Sequence, residues 1–263
     1  MGLWIAESTD AMLQAVRRPW SLAVKNLLFP IFCMACRDRL LTEENGYYCP
    51  TCWELASRIE SPFCTRCGRP HEAMAGLGNR RNFPCAVCRE RPLKGVDQIY
   101  GAAVYEGVIA DAVKHLKFHD RHRLSRPLGL LMQQFAAEYM DTGAYDLLVP
   151  VPLHRVRLRE RGFNQSALLT EAVRPAFPRA GLSGDLTRIR PTRTQSRLAG
   201  KERRDNVRGA FAVIGDAMQG RAILLIDDVV TSGGTVEECG RALRRAGAVR
   251  VDVLAVALAR RHH

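Results

Sequence analysis

The segment from Ala222 to Thr235 constrains the fold of this chain more than any other. A continuous apolar run ends in Asp227 and Asp228, and a loop rich in glycine and hydroxyl groups follows before a helical pattern begins. This order predicts a buried parallel strand, a ligand loop at its carboxyl end, and a helix whose first turn faces the ligand. Because a helix amino terminus and glycine-turned N–H groups both favour an anion, the segment predicts a phosphate site.

The residues of this segment suit two parts of one ligand. Glycines can adopt the positive φ values that gather backbone N–H groups, and hydroxyl side chains add donors. Adjacent carboxylates repel a phosphate unless they accept hydrogen bonds from neutral hydroxyls or hold a divalent cation. We therefore assign Asp227 and Asp228, the candidate catalytic residues, to ribose hydroxyls and Mg²⁺. The predicted phosphate contacts are Val229, Val230, Thr231, Ser232, Gly233, Gly234 and Thr235.

A purely structural interpretation of the same segment is a strand, a tight turn and a capped helix. Thr235 and Glu238 are spaced as a capping box, and Val236, Cys239 and Leu243 form an apolar helix stripe. This interpretation accounts for the helix without a ligand. It leaves the two aspartates at the strand end unexplained.

Eight of the nine cysteines form four Cys-x-x-Cys pairs. Two such pairs, a dozen or so residues apart, can supply four thiolates to one tetrahedral Zn²⁺. Without an export signal we expect a reducing compartment, which favours metal over disulfides. Chain order favours one structural zinc site from the first two pairs and another from the last two, and an interleaved pairing stays open. The predicted ligands are Cys33, Cys36, Cys49, Cys52, Cys64, Cys67, Cys85 and Cys88.

Basic charge is concentrated in one part of the chain. The formal net charge is +12, and residues 152–209 hold fourteen Arg or Lys against five Asp or Glu, which gives +9 there. Such a stretch suits a pyrophosphate, a nucleic-acid backbone, or both, and the alternative is a solvated helix face. Arginines alternate from Arg155 to Arg161 in a predicted loop after a buried strand, where guanidinium groups suit pyrophosphate oxygens.

Apolar periodicity predicts strands alternating with helices after residue 95. Strands are expected over 96–105, 145–151, 186–190, 210–214, 221–227 and 249–259, and helices over 108–118, 124–139, 164–177, 198–206 and after the phosphate loop. This alternation predicts a parallel α/β domain. The predicted organisation is an amino-terminal helical segment over 1–28, a double zinc ribbon over 29–95 and the α/β domain over 96–263.

Several of these motifs resemble known families. Residues 223–235 resemble the phosphoribosyl pyrophosphate (PRPP) motif of type I phosphoribosyltransferases, in which two acidic residues meet the ribose and the loop holds the 5′-phosphate. The segments 149–154, 161–165 and 195–206, together with the four cysteine pairs, resemble the ComF family, the competence-associated branch of that superfamily. The resemblance implies a phosphoribosyltransferase-like sheet domain behind a zinc ribbon. It also implies pyrophosphate contacts at Arg157, Arg161, Gly162 and Asn164, and mobile-loop contacts at Gln195, Arg203 and Asn206.

Three functions follow from these features. The first is a PRPP- or nucleotide-binding protein acting in DNA uptake, with a basic groove for single-stranded DNA and contacts to competence-machinery proteins. The second is an active Mg²⁺-dependent phosphoribosyltransferase, which needs no side-chain nucleophile because its transition state is cationic at the ribose C1. The third is a zinc-ribbon protein adaptor. No apolar run has the length of a membrane span, so we expect a cytoplasmic protein without stable membrane insertion.

Overall fold

Five parallel strands form the main sheet of the protein. The computed structural model describes residues 30–40, 47–71, 82–118, 121–190 and 206–260. The helices and strands are α1 (Pro50–Glu54), α2 (Ala86–Glu90), β1 (Gln98–Val104), α3 (Gly107–Phe118), α4 (Ser125–Tyr139), β2 (Leu147–Pro150), α5 (Arg155–Arg161), α6 (Gln165–Val173), β3 (Gly181–Leu182), β4 (Leu186–Arg188), β5 (Phe211–Val213), β6 (Ala222–Val230), α7 (Gly234–Arg245) and β7 (Arg250–Leu258). Short 3₁₀ turns precede α4 and follow α6.

The strand order of the main sheet is β1-β7-β6-β2-β3, and every neighbouring pair is parallel. The central strands β6 and β7 pair from Ala222 and Arg250 to Val230 and Leu258. Their long apolar runs fit this position because a parallel strand in the middle of a sheet is covered on both faces. The predicted parallel α/β fold is therefore confirmed.

The carboxyl edge of the sheet brings together the segments that the sequence marks as functional. There β6 leads into residues 231–233 and α7, β2 leads into α5, and β1 leads into α3. Ligands of open parallel sheets bind outside this edge.

Two of the predicted strands lie outside the main sheet. β4 and β5 pair only with each other, antiparallel, in a separate two-stranded sheet. The strand predicted over 210–214 is expected to finish the parallel sheet, and that expectation is wrong. Each of these strands has three residues and buries only its first, Leu186 or Phe211, so neither presents the two apolar faces of a central strand.

By packing, the chain divides into Met1–Leu55 and Ala56–His263. The first cysteine cluster lies in the former unit, and the second lies in the same unit as the sheet. The predicted boundaries at residues 28 and 95 stay predictions, and the predicted segment 1–28 lies outside the described residues. Among the described helices, none is long and apolar enough to cross a membrane.

Candidate functional site

The strand that carries the acidic pair continues past it. β6 ends at Val230, and its last residues still pair with β7. The sequence places the strand end at Asp227, which is wrong because Val229 and Val230 favour a strand and β7 offers partners to both. The loop before α7 is therefore only three residues long, from Thr231 to Gly233.

Gly233 turns the chain from this loop into α7. It has φ +84° and is the N-cap of the helix, whereas Gly234 is the first helical residue. A Cβ at Gly233 would meet nothing within 4 Å, so the backbone conformation rather than space requires glycine there. Since glycine has no side chain to cap the helix, the first N–H groups of α7 suit an external anion.

The predicted capping box of Thr235 and Glu238 does not form. The helix begins one residue before Thr235, so Glu238 does not occupy the third helical position that a capping box requires. Glu238 is buried and accepts hydrogen bonds from the backbone N–H of Gly209 at 2.8 Å and from Arg241 Nε at 2.9 Å. This carboxylate therefore fixes the segment before β5 against α7.

Asp227 and Asp228 are both buried and hydrogen-bonded. Asp227 Oδ1 accepts from Ser166 Oγ at 3.2 Å and from the backbone N–H of Asp228 at 2.9 Å. Asp228 Oδ1 accepts from the backbone N–H of Val229 at 2.7 Å. These bonds hold both carboxylates in fixed positions at the carboxyl edge of β6, and Ser166 ties Asp227 to α6.

A lysine from α3 supplies a positive charge to the acidic pair. Lys117 Nζ lies 2.6 Å from Asp228 Oδ2, with side chains that are 21% and 5% exposed. Burial first and the neighbouring Asp228 carboxylate second raise the pKa of Asp227 to about 8. Burial alone would lower the pKa of Lys117, but the attraction of Asp228 outweighs it and the pKa lies above its usual value. The positive charge of Lys117 therefore balances the negative charge of Asp228 within the site.

The arginine segment after β2 forms α5, which corrects the prediction of a loop. His154 caps this helix, since its side chain accepts from the backbone N–H of Val156. Residues four apart share a helix face. Accordingly, Arg157 and Arg161 are half-buried together, whereas Arg155 and Arg159 are exposed together.

Arg161 connects α5 to the region of the acidic pair. Its guanidinium carbon lies 5.1 Å from the ring centroid of Phe118, the residue that follows Lys117, and its Nη1 donates to Gln165 Oε1 at 2.6 Å. Burial lowers the pKa of Arg161, and the Asp228 carboxylate opposes this shift. The structure thus brings Arg161, Lys117 and Asp228 to one edge of the sheet.

Two other residues of the predicted pyrophosphate segment have structural roles. Gly162 ends α5 with φ +78°, a left-handed conformation that glycine adopts without strain. Asn164 caps α6 by accepting from the backbone N–H of Ser166 at 3.0 Å, and its Nδ2 donates to the carbonyl of Val151 at 3.1 Å. Ligand contact is not needed to explain either residue.

The predicted mobile-loop contacts fall largely outside the described residues. Gln195 and Arg203 lie there, together with most of the helix predicted over 198–206. Asn206 is described and half-buried, and its carbonyl accepts from Arg190 Nη2 at 3.3 Å. The ligand role predicted for these residues stays a prediction.

The eight paired cysteines form two clusters of four. Within each cluster all sulfur atoms lie within 4.8 Å of one another, and the members are Cys33, Cys36, Cys49 and Cys52 in one and Cys64, Cys67, Cys85 and Cys88 in the other. This confirms the sequential pairing and excludes the interleaved one. Four thiolates suit a closed, tetrahedral zinc site.

Backbone N–H groups surround the cysteine sulfurs. Cys64 Sγ accepts from the N–H groups of Cys67 at 3.4 Å and Cys85 at 3.2 Å. A hydrogen bond from the Cys67 thiol is the largest cause that lowers the pKa of Cys64 to about 3. Because zinc binds the thiolate, these contacts suit metal binding. Cys239 is separate and buried in α7, as its apolar stripe predicts.

Sequence reasoning missed three residues that contact this site: Lys117, Ser166 and Arg69. Arg69 follows the third cysteine pair, and its side chain donates to the carbonyls of Thr231 and Ala259. Lys117 lies in a basic helical stretch whose charges otherwise face solvent, and Ser166 is an ordinary residue of a helix first turn. Only the order of the strands shows that Lys117 and Ser166 contact the acidic pair and that Arg69 contacts the loop that follows it.

Comparison with known sequences identifies the family. A double zinc ribbon domain model matches residues 24–90. The DNA utilization protein YhgH of Escherichia coli K12 is 32% identical over 230 residues, which are 86% of this chain and 96% of that protein. Competence protein F of Haemophilus influenzae is 29% identical over 88% of this chain and 98% of its own length. The chain belongs to the ComF family.

Solved structures also resemble this ComF-family chain. The glutamine PRPP amidotransferase of Bacillus subtilis, complexed with ADP and GMP, is 20% identical and matches 51% of this chain and 26% of its own, with a TM-score of 0.35. The strand order of this ComF-family protein itself gives the parallel α/β fold.

Proposed function

We propose that this protein binds PRPP, or a nucleotide with the same 5-phosphoribosyl group, at the carboxyl edge of its sheet and acts in the uptake and use of DNA. The observation that carries the proposal is the buried pair Asp227 and Asp228, which two strand residues separate from a short loop that Gly233 turns into the start of α7. Carboxylates accept hydrogen bonds from ribose hydroxyls, and an open helix amino terminus suits a phosphate. One ligand that carries both groups fits both features.

Each part of the ligand has candidate partners. The 5′-phosphate would lie against residues 231–235, and the ribose hydroxyls would donate to the acidic pair. The pyrophosphate would lie towards the inner face of α5, where Arg157 and Arg161 are half-buried. Guanidinium groups suit this task because they bind two phosphate oxygens at once.

Mg²⁺ fits this site as a partner of the ligand. Asp228 already pairs with Lys117 at 2.6 Å, so the two aspartates do not present two uncompensated charges to a metal ion. We therefore assign Mg²⁺ chiefly to the phosphate oxygens of the ligand, whose charge it would neutralise.

The DNA role rests on the outer face of α5 and on the relatives. Arg155 and Arg159 are exposed there, and Val156 and Leu158 between them are 45% and 41% exposed. Exposed arginines suit phosphates of a single strand, and apolar side chains beside them suit unpaired bases. The names of the relatives, a DNA utilization protein and a competence protein, support the same role.

A calorimetric ligand series tests the binding proposal. PRPP with Mg²⁺, ribose 5-phosphate, and pyrophosphate with Mg²⁺ are titrated into the parent protein and into Asp111→Asn, which changes an exposed carboxylate on α3. We expect both proteins to bind PRPP most tightly and ribose 5-phosphate more weakly. Equal affinities for PRPP and pyrophosphate would contradict the proposal, because only the anionic charge would then be recognised.

A further inference from the structure

Arg69 belongs to the second cysteine cluster through its main chain. Its carbonyl accepts from the backbone N–H of Cys64 at 2.9 Å, which closes the turn that carries Cys64 and Cys67. The first cluster has the same turn, in which the N–H of Cys33 donates to the carbonyl of Asp38 at 2.7 Å. The residue equivalent to Arg69 is therefore an aspartate in the first cluster.

The Arg69 side chain leaves this turn and binds the carboxyl edge of the sheet. Its Nε donates to the carbonyl of Ala259 at 3.0 Å, and its Nη2 donates to the carbonyl of Thr231. Ala259 follows β7, and Thr231 follows β6. One guanidinium thus holds the ends of the two central strands, and one of its contacts is the first residue of the proposed phosphate loop.

The turn that carries Arg69 is itself fixed on β1. The backbone N–H of Ile99 donates to the carbonyl of Arg66 at 2.7 Å, and Arg66 Nη1 donates to the carbonyl of Asp97 at 3.1 Å. A Cβ added to Gly68 would lie 2.4 Å from the carbonyl oxygen of Ile99, so the two backbones are in close contact. Arg69 therefore has little freedom to move while the cysteine turn is intact.

The hydrogen bond to the Thr231 carbonyl also fixes the direction of the next backbone N–H group. The peptide unit is planar and trans, so its C=O and N–H point in opposite directions. With the carbonyl of Thr231 held towards Arg69, the N–H of Ser232 faces away from Arg69. That N–H is one of the donors that a phosphate in this loop would use.

We propose that Arg69 couples the second cysteine cluster to the ligand loop, so that metal binding at that cluster and ligand binding at Thr231–Gly233 strengthen each other. The coupling rests on the proposed function, since it concerns the same loop. Arg69 is a positioning residue: it fixes a backbone group of the loop and does not touch the ligand. Because binding equilibria that are coupled are coupled in both directions, PRPP should protect the second zinc ion from loss. The first cluster lacks an equivalent arginine and serves as an internal control.

The test compares Arg69→Gln with Arg89→Gln, an exposed arginine of the same ribbon. Zinc content is measured first, then the Kd for PRPP with Mg²⁺, then the rate at which a chelator removes zinc with and without PRPP. In the parent and in Arg89→Gln we expect PRPP to slow the release of one of the two zinc ions. In Arg69→Gln we expect two bound zinc ions, a Kd about tenfold higher, as for one lost charged hydrogen bond, and no protection by PRPP. Should Arg69→Gln lose zinc, Arg69→Lys is compared with Arg89→Gln in the same way, since lysine keeps the charge and one donor.

The outcomes separate this coupling from the proposed function. An unchanged Kd in the Arg69 variant, or protection of zinc that persists there, overturns the coupling while the proposed ligand stands. A parent protein that binds no PRPP overturns the proposed function, and the coupling with it.

Discussion

Lys117 Nζ lies 2.6 Å from Asp228 Oδ2 in a largely buried ion pair at the carboxyl edge of the sheet. The pair joins α3 to β6, and the neighbouring Asp227 is held by Ser166 from α6. The acidic pair therefore has fixed protein partners from two helices before any ligand arrives. This arrangement fits a site that receives neutral hydroxyl groups.

The ion pair predicts that replacing Lys117 lowers the stability of the protein much more than replacing Lys114, another lysine of α3. Lys117→Met leaves a buried carboxylate without its counter-ion, so the free energy of unfolding at neutral pH should fall by about 3 kcal/mol. Lys114→Met removes an exposed pair with Asp111 and should cost less than about 1 kcal/mol. Urea unfolding of both variants checks this. Equal losses would show that Lys117 is not a buried counter-ion.

The raised pKa of Asp227 predicts how stability depends on pH. Its pKa is about 8 in the folded protein because of burial first and Asp228 second, whereas an unfolded aspartate has a pKa of about 3.9. Between these values the folded state holds an extra proton, so this residue makes stability fall as pH rises towards about 8. Asp227→Asn should flatten that fall, and Asp111→Asn should not. Urea unfolding at several pH values measures the slope, and a parent-like slope in Asp227→Asn would contradict the prediction.

The conformation of Gly233 predicts that alanine there destabilises the protein, although there is room for its Cβ. With φ +84°, Gly233→Ala should lower the free energy of unfolding by about 1–2 kcal/mol and weaken PRPP binding by displacing the loop. Gly184→Ala is the control, since a Cβ there also meets nothing within 4 Å. Thermal unfolding and calorimetry measure the two effects. A variant that behaves like the control would show that the loop tolerates a different backbone.

Substitutions on the two faces of α5 should affect binding of the two proposed ligands differently. Charge reversal of the exposed pair, Arg155→Glu with Arg159→Glu, should weaken binding of oligo(dT) and reduce its salt dependence by about two charges. The same change should leave the Kd for PRPP nearly unchanged. Arg157→Gln with Arg161→Gln should instead weaken PRPP binding. Fluorescence anisotropy across a salt series and calorimetry measure both, and a parent-like salt slope in the exposed-face variant would overturn the DNA surface.

The sequence predicts this fold well where a local pattern has one meaning. The apolar runs of β6 and β7 are typical of central strands of a parallel sheet, and two Cys-x-x-Cys pairs at short spacing suit one metal. Local patterns mislead where tertiary partners decide. β6 continues past Asp227 because β7 pairs with it, and alternating arginines form a helix because His154 and Gly162 provide its ends.

The contacts of the acidic pair could not be predicted from one sequence. Lys117 and Ser166 lie 111 and 61 positions from their aspartate partners. No periodicity relates residues so far apart, because only the strand order sets their separation in space. For the same reason Arg69 looks like an ordinary surface residue until β6 and β7 are placed beside it.

Calorimetry with PRPP and Mg²⁺ on the parent and on the double variant Asp227→Asn/Asp228→Asn tests the central claim most directly. Asparagine keeps the side-chain oxygens that accept from Ser166 and from the backbone, so circular dichroism should show an intact fold. We expect saturable heat from the parent and at least a tenfold weaker Kd in the variant, because at both positions an amide group replaces one of the two side-chain oxygens that can accept from the ribose. Equal affinity in both proteins would contradict the account.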